Sequence, residues 1–249
     1  MLLLVVLLLL VLLVVTALVV VNATSSTHAV AQDEPGPVLL VSGYGGSTAA
    51  LEPMRASLQS AGRDVVVVPA VGGGTGDLRA QARALRSAAA AAMERFHASS
   101  VDVVGYSAGG VVARSWVRDL GGGSVARRVV SVGSPQHGTS VAELAAGVAG
   151  CPMACEQLEP DSAFMRELDA GDETPAGPVF VSVWSTTDRT VVPPSSARLA
   201  GAALDLTVQS LCPGARVSHG ELPSDRTVLS VVRAALGAGP PTRPTSPPC

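Results

Sequence analysis

Six runs of apolar, largely β-branched residues recur along the chain, and segments with helical character separate them. The runs predict strands at Pro37–Ser42, Asp64–Pro69, Val101–Tyr106, Arg128–Val132, Val179–Trp184 and Leu204–Gln209. Helices are predicted at Thr48–Ala61, Asp77–His97, Ala108–Leu120, Ser140–Gly147, Ser195–Ala200 and Asp225–Leu236. Because the strand runs are continuously apolar rather than alternating, both faces of the sheet should lie under helices. The pattern predicts a compact α/β fold with a mostly parallel, six-stranded sheet flanked by helices.

The first residues depart from this rhythm. The 20 residues Leu2–Val21 are apolar except for Thr16. A helix of that length rises about 30 Å, which is enough to cross a bilayer. A secretory signal begins with Lys or Arg, whereas the first Arg here is Arg55 and the chain has no Lys. We expect residues 1–31 to be a signal peptide cleaved near Ala31 or, alternatively, an uncleaved membrane anchor, and in either case the folded part faces outward.

The rest of the chain divides into one domain and a tail. Residues 36–237 are enough for a single domain with a full-sized core. Residues 238–249 contain five prolines and predict a disordered or extended tail. The net charge is −3 and no basic cluster occurs, so nucleic acid is not an expected partner. We also expect the protein to be a monomer.

The four cysteines all lie in the second half of the chain: Cys151, Cys155, Cys212 and Cys249. An even number in an exported protein favours disulfides, and three pairings are possible. A bond between Cys151 and Cys155, across a short loop that contains proline, is our first choice, and Cys212 with Cys249 would then fasten the tail. A zinc site is the weaker alternative, because no His/Cys pair at ligand spacing accompanies the cysteines.

The segment Gly105-Tyr106-Ser107-Ala108-Gly109 follows a predicted buried strand and precedes a predicted helix. A strand that ends in Gly-x-Ser-x-Gly and turns at once into a helix is the nucleophile-elbow pattern, in which the serine hydroxyl stands exposed above the sheet. We interpret Ser107 as a nucleophile. Its partners should lie beyond the carboxyl ends of later strands, where the active sites of such sheets form.

A serine hydroxyl needs a base, usually a histidine whose second nitrogen is held by a carboxylate, and elbow proteins supply them in the order serine, acid, histidine. Asp188 comes four residues after the strand Val179–Trp184 and is the expected acid. His219 follows the last predicted strand and is the expected base. His137 would precede the acid along the chain. The other candidates are less well placed: His28, His97, Asp161, Asp169, Asp172, Asp205 and Asp225.

An oxyanion that develops during acyl transfer needs preorganised donors. The N–H of Ala108, directly after the serine, is one expected donor, and the N–H of Tyr44 in the glycine-rich loop Ser42–Ser47 is the other. The glycines of this loop could instead mark a phosphate loop, but the chain has no Lys. The same holds for Gly72–Gly76, which we interpret as a loop at the rim of the site. No metal motif or dinucleotide fingerprint is present in the sequence.

The connection from Gly138 to Pro178 is long for a link between two strands. It contains Cys151 and Cys155, and it lies where a small cap over the site would form. A disulfide-stapled surface loop is the equal alternative, and the sequence favours neither.

Three stretches taken together resemble the small secreted bacterial class-2 lipases and esterases of the α/β-hydrolase superfamily. They are residues 38–46, 105–110 and 134–139, and the resemblance extends over about residues 36–236. Ser42-Gly43 stands where these relatives usually have His-Gly. The resemblance implies the site residues named above and no cofactor: Ser107 as nucleophile, Asp188 as acid, His219 as base, and Tyr44 and Ala108 as oxyanion donors.

Substrate class follows less directly. Aromatic residues are few, so Val, Leu and Ala would line an acyl pocket and bind an acyl chain by non-directional burial. We expect a serine hydrolase that cleaves carboxylic esters, in particular lipid or acylglycerol esters, through an acyl-enzyme on Ser107. An acyltransferase or thioesterase with the same residues, a non-catalytic binding protein of this fold, and an anchored interaction protein remain alternatives.

Overall fold

All six predicted strands are present, and every pairing between them is parallel. The strands are β1 (Val38–Val41), β2 (Val65–Val68), β3 (Val101–Tyr106), β4 (Ala126–Val132), β5 (Val179–Trp184) and β6 (Leu204–Thr207). They form one sheet in the order β2-β1-β3-β4-β5-β6. The central strands β3 and β4 are buried along their whole length, including the charged residues Asp102, Arg127 and Arg128. The α/β architecture expected from the sequence is therefore confirmed.

The structure is a computed structural model that describes residues 30–249, without the side chains of residues 148 and 149. The predicted signal peptide or anchor, residues 1–31, thus lies outside the described residues apart from its last two positions. Between residues 30 and 249, no helix is both long and apolar enough to cross a membrane.

Helices cover both faces of the sheet. In the described residues they are α1 (Glu52–Ser60), α2 (Leu78–Phe96), α3 (Ala108–Asp119), α4 (Ser140–Ala149), α5 (Met153–Gln157), α6 (Ala163–Asp169), α7 (Val208–Leu211) and α8 (Arg226–Ala235). Because successive strand side chains point to opposite faces, Leu39 packs in the core that includes α2 and α3, and Leu40 packs in the core with α1 and α8. Asp77 and Asp225 cap α2 and α8, as the sequence predicts.

Two of the differences between the predicted elements and the structure have a local cause. Strand β6 ends at Thr207 rather than Gln209, because the Thr207 hydroxyl accepts a hydrogen bond from the N–H of Ser210 (2.9 Å) and starts α7. The helix predicted at Ser195–Ala200 is a single 3-10 turn at Pro194–Ala197. It stops there because the backbone returns to an extended conformation at Arg198.

The long connection between β4 and β5 is helical and stapled. It contains α4, α5 and α6, and a disulfide joins Cys151, in the link after α4, to Cys155 in α5. The N–H of Ala154 donates to the carbonyl of Thr75 (3.1 Å), so α5 is fastened to the loop after β2.

Residues 238–249 contain no helix or strand and lie along the domain. Arg128 donates to the carbonyl of Gly239 (2.8 Å) near their start, and Thr227 donates to the carbonyl of Pro248 (2.9 Å) near their end. A disulfide joins Cys249 to Cys212. The two disulfides are the pairings that the sequence analysis favoured.

The amino ends of the strands carry a buried ion cluster. The carboxylate of Asp102, at the start of β3, accepts hydrogen bonds from Arg127 (2.6 and 3.0 Å) and Arg63 (2.6 Å). The two guanidiniums also donate to backbone carbonyls at both ends of the domain, namely those of Gln32, Gly36, Leu236 and Gly237. The segments before β1 and after α8 are therefore fixed at the base of the sheet, opposite the edge where Ser107 lies.

Candidate active site

Ser107 lies at the sharp turn between β3 and α3. Its backbone has φ 54° and ψ −128°, a region that residues with a side chain rarely adopt. The neighbouring glycines make the turn possible by close backbone approach. A Cβ on Gly105 would clash with the backbone of Gly109 and Gly110, and a Cβ on Gly109 would clash with the carbonyl of Val41. The predicted elbow is present in the structure.

One chain of hydrogen bonds joins Ser107, His219 and Asp188. The Nε2 atom of His219 lies 2.9 Å from Oγ of Ser107, and its Nδ1 atom lies 2.7 Å from Oδ2 of Asp188. Because an ionised carboxylate only accepts hydrogen bonds, Nδ1 carries the proton, and Nε2 of the neutral ring is left to accept from the serine hydroxyl. The arrangement can remove the hydroxyl proton and hold the resulting imidazolium.

The carboxylate of Asp188 is buried and fully engaged. Its Oδ1 atom accepts from the N–H groups of Thr190 (2.8 Å) and Val191 (3.0 Å), which leaves Oδ2 for His219. These backbone bonds fix the orientation of the carboxylate. Within the described chain, no ion pair joins the side chains of Asp188 and Arg189.

Tyr106 supports the base from below, a role that the sequence analysis missed. Its hydroxyl donates to the backbone carbonyl of His219 (3.1 Å), and the two rings lie 5.2 Å apart between centroids. Burial, and secondarily the negative charge of Asp188, raise the pKa of Tyr106 to about 12, so the phenol remains a neutral donor. The elbow pattern gives this position only as x, so no sequence signal could have found the contact.

The two predicted oxyanion donors lie next to Ser107. The loop after β1 approaches so closely that a Cβ on Gly43 would lie 2.8 Å from Cβ of Ser107. Throughout residues 30–249, neither the N–H of Tyr44 nor that of Ala108 donates to a protein acceptor. The N–H of Gly45 donates to the carbonyl of Gly74 (3.2 Å), so the second glycine-rich loop braces the first.

An apolar cavity of about 310 Å³ opens beside the Ser107 hydroxyl. Its lining comes from the loops after β1, β4 and β5 and from the first half of the long connection: Tyr44, Pro135, Thr139, Val141, Ala142, Ala145, Gly150, Cys151, Pro152, Cys155, Leu158, Thr190 and Val191. The helical connection therefore forms a wall of the cavity next to the serine, and the Cys151–Cys155 disulfide is part of that wall.

The other sequence candidates have different partners. His137 contacts the carboxylate of Glu173 (3.0 Å) and the carbonyl of Ser196 (3.2 Å), and it has no part in the chain that ends at Ser107. Asp169 pairs with Arg114, Asp172 accepts from the N–H of Thr174, Asp205 accepts from the indole of Trp184, and Asp225 caps α8. All four cysteines are in disulfides, which removes the zinc alternative for them. In residues 30–249 no cluster of His, Cys, Asp or Glu could hold a metal ion.

The parallel sheet, the serine elbow and the aspartate and histidine on later loops define an α/β-hydrolase. Solved structures with this fold include lipase B of Aspergillus fumigatus (TM-score 0.72, 21% identity), where the match covers 84% of this chain but only 54% of that one. A sequence model of palmitoyl protein thioesterases matches residues 37–170, and the chain belongs to the palmitoyl protein thioesterase family. The match contains Ser107 and ends before Asp188 and His219.

Two further solved structures are similar. The mature lipase BlEst2 of Bacillus licheniformis has a TM-score of 0.68 and 19% identity, over 82% of this chain and 92% of that one. A lipase-esterase related protein from Clostridium acetobutylicum has a TM-score of 0.53 and 14% identity, over 81% and 95%. No curated protein sequence matches the chain. The α/β-hydrolase fold expected from the sequence is confirmed by the family model and by the fold of these solved structures.

Proposed function

We propose that the chain is a serine hydrolase that cleaves carboxylic esters through an acyl-enzyme on Ser107. The observation that carries the proposal is the hydrogen-bond chain from Ser107 through His219 to Asp188, together with the apolar cavity that opens at the same hydroxyl. Ser107 is the nucleophile, His219 the general base and acid, and Asp188 the group that orients and stabilises the imidazolium.

In the first half of the reaction, Nε2 of His219 takes the hydroxyl proton while Oγ of Ser107 attacks the carbonyl carbon of the ester. The N–H groups of Tyr44 and Ala108 donate to the oxyanion, and loss of one oxyanion donor typically lowers kcat by about 10²–10³. Collapse of the tetrahedral intermediate breaks the ester bond. The leaving alcohol or thiol takes the proton from His219, and the acyl group stays on Ser107.

In the second half, water takes the place of the leaving group. His219 removes a proton from the water as it attacks the acyl carbon, and the same proton then returns to Oγ of Ser107 when the carboxylic acid departs. The mechanism needs no cofactor, in agreement with the family resemblance seen in the sequence.

The cavity supports an apolar acyl group as the bound part of the substrate. Each buried CH₂ contributes about 0.8 kcal/mol without directional preference, so lipid or acylglycerol esters fit the wall described above. Membership of the palmitoyl protein thioesterase family favours acyl thioesters as a second candidate substrate class. An acyltransferase would use the same residues and differ only in the acceptor that replaces water.

We also propose that the domain works outside the cytoplasm and as a monomer. Two disulfides support an oxidising compartment, and the apolar segment Leu2–Val21 supports export or anchoring. N-terminal sequencing of the protein recovered from its host tests whether the apolar segment is cleaved or retained. An N-terminus at Gln32 indicates cleavage, whereas an N-terminus at Met1 indicates an anchor.

The enzyme assay compares wild type, Ser107→Ala and the control Ser124→Ala, which changes an exposed serine in a surface turn. The substrates are p-nitrophenyl esters from acetate to palmitate and octanoyl thioesters. We expect hydrolysis by wild type and by the control and none by Ser107→Ala. A serine-directed phosphonate should label wild type and should not label Ser107→Ala. Equal activity in Ser107→Ala would contradict the assignment, and failure of both hydrolysis and labelling in wild type would favour a binding protein.

A further inference from the structure

A second cleft borders His219. It has a volume of about 350 Å³ and is lined by residues of the two loops that carry the acid and the base, including Arg189, Thr190, Arg216 and His219. Thr190 also lines the apolar cavity, so the two spaces adjoin. The apolar cavity therefore reaches Ser107, and the second cleft borders His219.

The chemistry of the second cleft differs from that of the first. Arg189 and Arg216 are exposed, and within the described part of the chain neither guanidinium forms a hydrogen bond or an ion pair. Most other arginines of the chain bind a carbonyl or a carboxylate. Two arginines from different loops, for which the described residues offer no hydrogen-bond or ion-pair partner, thus line the same cleft.

Glu221 is the one carboxylate among the residues that line the second cleft in the described structure. Its Oε2 atom accepts from the N–H (2.8 Å) and the hydroxyl (2.6 Å) of Ser218. These hydrogen bonds lower the pKa of Glu221, so it remains charged and is held by Ser218. Asp188 lies buried behind the imidazole and is taken up by His219 and two backbone amides. The exposed lining therefore carries two positive charges against one negative charge.

We propose that the second cleft binds the leaving group of the substrate and that this leaving group carries a phosphate, held by Arg189 and Arg216. The inference rests on the proposed function, because His219 must deliver its proton to the leaving oxygen or sulfur, which places that group on the histidine side. Guanidinium groups bind phosphate oxygens through paired, charge-assisted hydrogen bonds. The substrate is then an apolar acyl group joined to a phosphorylated alcohol or thiol.

The test uses pairs of substrates that differ in the phosphate. The first pair is 1-octanoylglycerol 3-phosphate and 1-octanoylglycerol, which share the same ester bond. The second pair is S-octanoyl-4′-phosphopantetheine and S-octanoylpantetheine, which share the same thioester. The measured quantity is the ratio of kcat/KM within each pair. A high ratio in the first pair identifies a phospholipid-type headgroup, and a high ratio in the second identifies a phosphopantetheine thiol.

The variants are Arg189→Gln, Arg216→Gln and the double variant, with Arg86→Gln as the matched control on the exposed face of α2. We expect wild type and Arg86→Gln to prefer the phosphorylated member of at least one pair. Each cleft substitution should lower that ratio about tenfold, the effect of losing one charge-assisted hydrogen bond. A ratio near one in wild type, or a ratio that survives in the double variant, overturns the inference.

Binding to the inactive Ser107→Ala variant gives a readout that does not depend on turnover. Calorimetric titration with 1-octanoylglycerol 3-phosphate and with 1-octanoylglycerol measures the phosphate preference directly. The preference should be present in Ser107→Ala and lost when Arg189→Gln and Arg216→Gln are added. If wild type shows no Ser107-dependent hydrolysis, the proposed function fails, and this titration still decides whether the cleft recognises phosphate.

Discussion

The side-chain hydroxyl of Thr187 forms two hydrogen bonds with a single residue, Val217. It donates to the carbonyl of Val217 (3.0 Å) and accepts from its N–H (3.1 Å). Thr187 directly precedes Asp188, and Val217 lies two residues before His219. One hydroxyl therefore fastens the loop that carries the acid to the loop that carries the base.

We expect Thr187→Val to lower kcat by about 10- to 100-fold with a smaller change in KM, because a small displacement of His219 relative to Ser107 is enough for such a loss. Valine keeps the shape and removes both hydrogen bonds to Val217, together with the contact between this hydroxyl and that of Ser185 (2.9 Å). The matched control is Thr186→Val, whose side chain is exposed. Steady-state kinetics with p-nitrophenyl octanoate, alongside thermal melting to verify folding, check the prediction. Equal kcat values for the folded Thr187 variant and wild type would refute the positioning role.

Tyr106 predicts a specific loss of stability at high pH. Its pKa is raised to about 12 in the folded protein, whereas an unfolded tyrosine titrates near 10. Below pH 10 both states hold the proton, and between pH 10 and 12 only the folded state does, so the stability falls across that window by about 2 kcal/mol. The decline should be shallower in Tyr106→Phe. Urea midpoints from pH 8 to 12 measure it, and parallel curves for the two proteins would be the contrary result.

Replacing glycine by alanine should have opposite effects on stability at an elbow glycine and at a glycine in α4. A Cβ on Gly109 would meet the carbonyls of Val41 and Ser42, so Gly109→Ala should lower the free energy of unfolding by about 3 kcal/mol. A Cβ on Gly147, in α4, would meet no atom within 4 Å. Gly147→Ala should raise the stability by about 1 kcal/mol through helix propensity. Chemical denaturation of both variants checks the sign of each change.

The two disulfides should differ in what they control. Cys212–Cys249 spans 37 residues and Cys151–Cys155 spans 4, so loop entropy gives them about 4 and about 2 kcal/mol of stability, respectively. Replacing Cys212 and Cys249 by serine should therefore cost more stability. Replacing Cys151 and Cys155 should instead alter the chain-length profile, because their bond lines the apolar cavity. Melting curves and the p-nitrophenyl ester series separate the two effects, and unchanged profiles would argue against a role in acyl binding.

Much of the fold could be predicted because buried parallel strands leave a strong signal. The bounds of β3 and β5 agree with the sequence prediction, since each is a β-branched run flanked by residues that end it. The predicted end of β6 at Gln209 was wrong, because Val208 and Leu211 are as compatible with a helical turn as with a strand. The hydrogen bond from the Ser210 N–H to Thr207 decided between them, and no apolar pattern encodes such a bond.

The candidate site shows the same division. Ser107, Asp188 and His219 could be placed from chain order and strand ends, and the structure brings them together. Thr187 and Tyr106 could not, because their contacts join loops that are distant in sequence, and a lone hydroxyl carries no spacing signal. Their catalytic and positioning roles, like those of the Tyr44 and Ala108 amides, remain predictions for the experiments above.

The ion cluster of Asp102, Arg63 and Arg127 also sets how the molecule can be mounted. It holds the carbonyls of Gln32 and Gly36 at the amino ends of the strands, whereas Ser107 lies at the carboxyl ends. A bead, an electrode or a fused carrier protein joined ahead of residue 30 is therefore attached at the end of the sheet opposite the apolar cavity and the second cleft. An immobilised form of this protein would face the bulk solution with its reactive end, and its support would not stand in the path of the substrate.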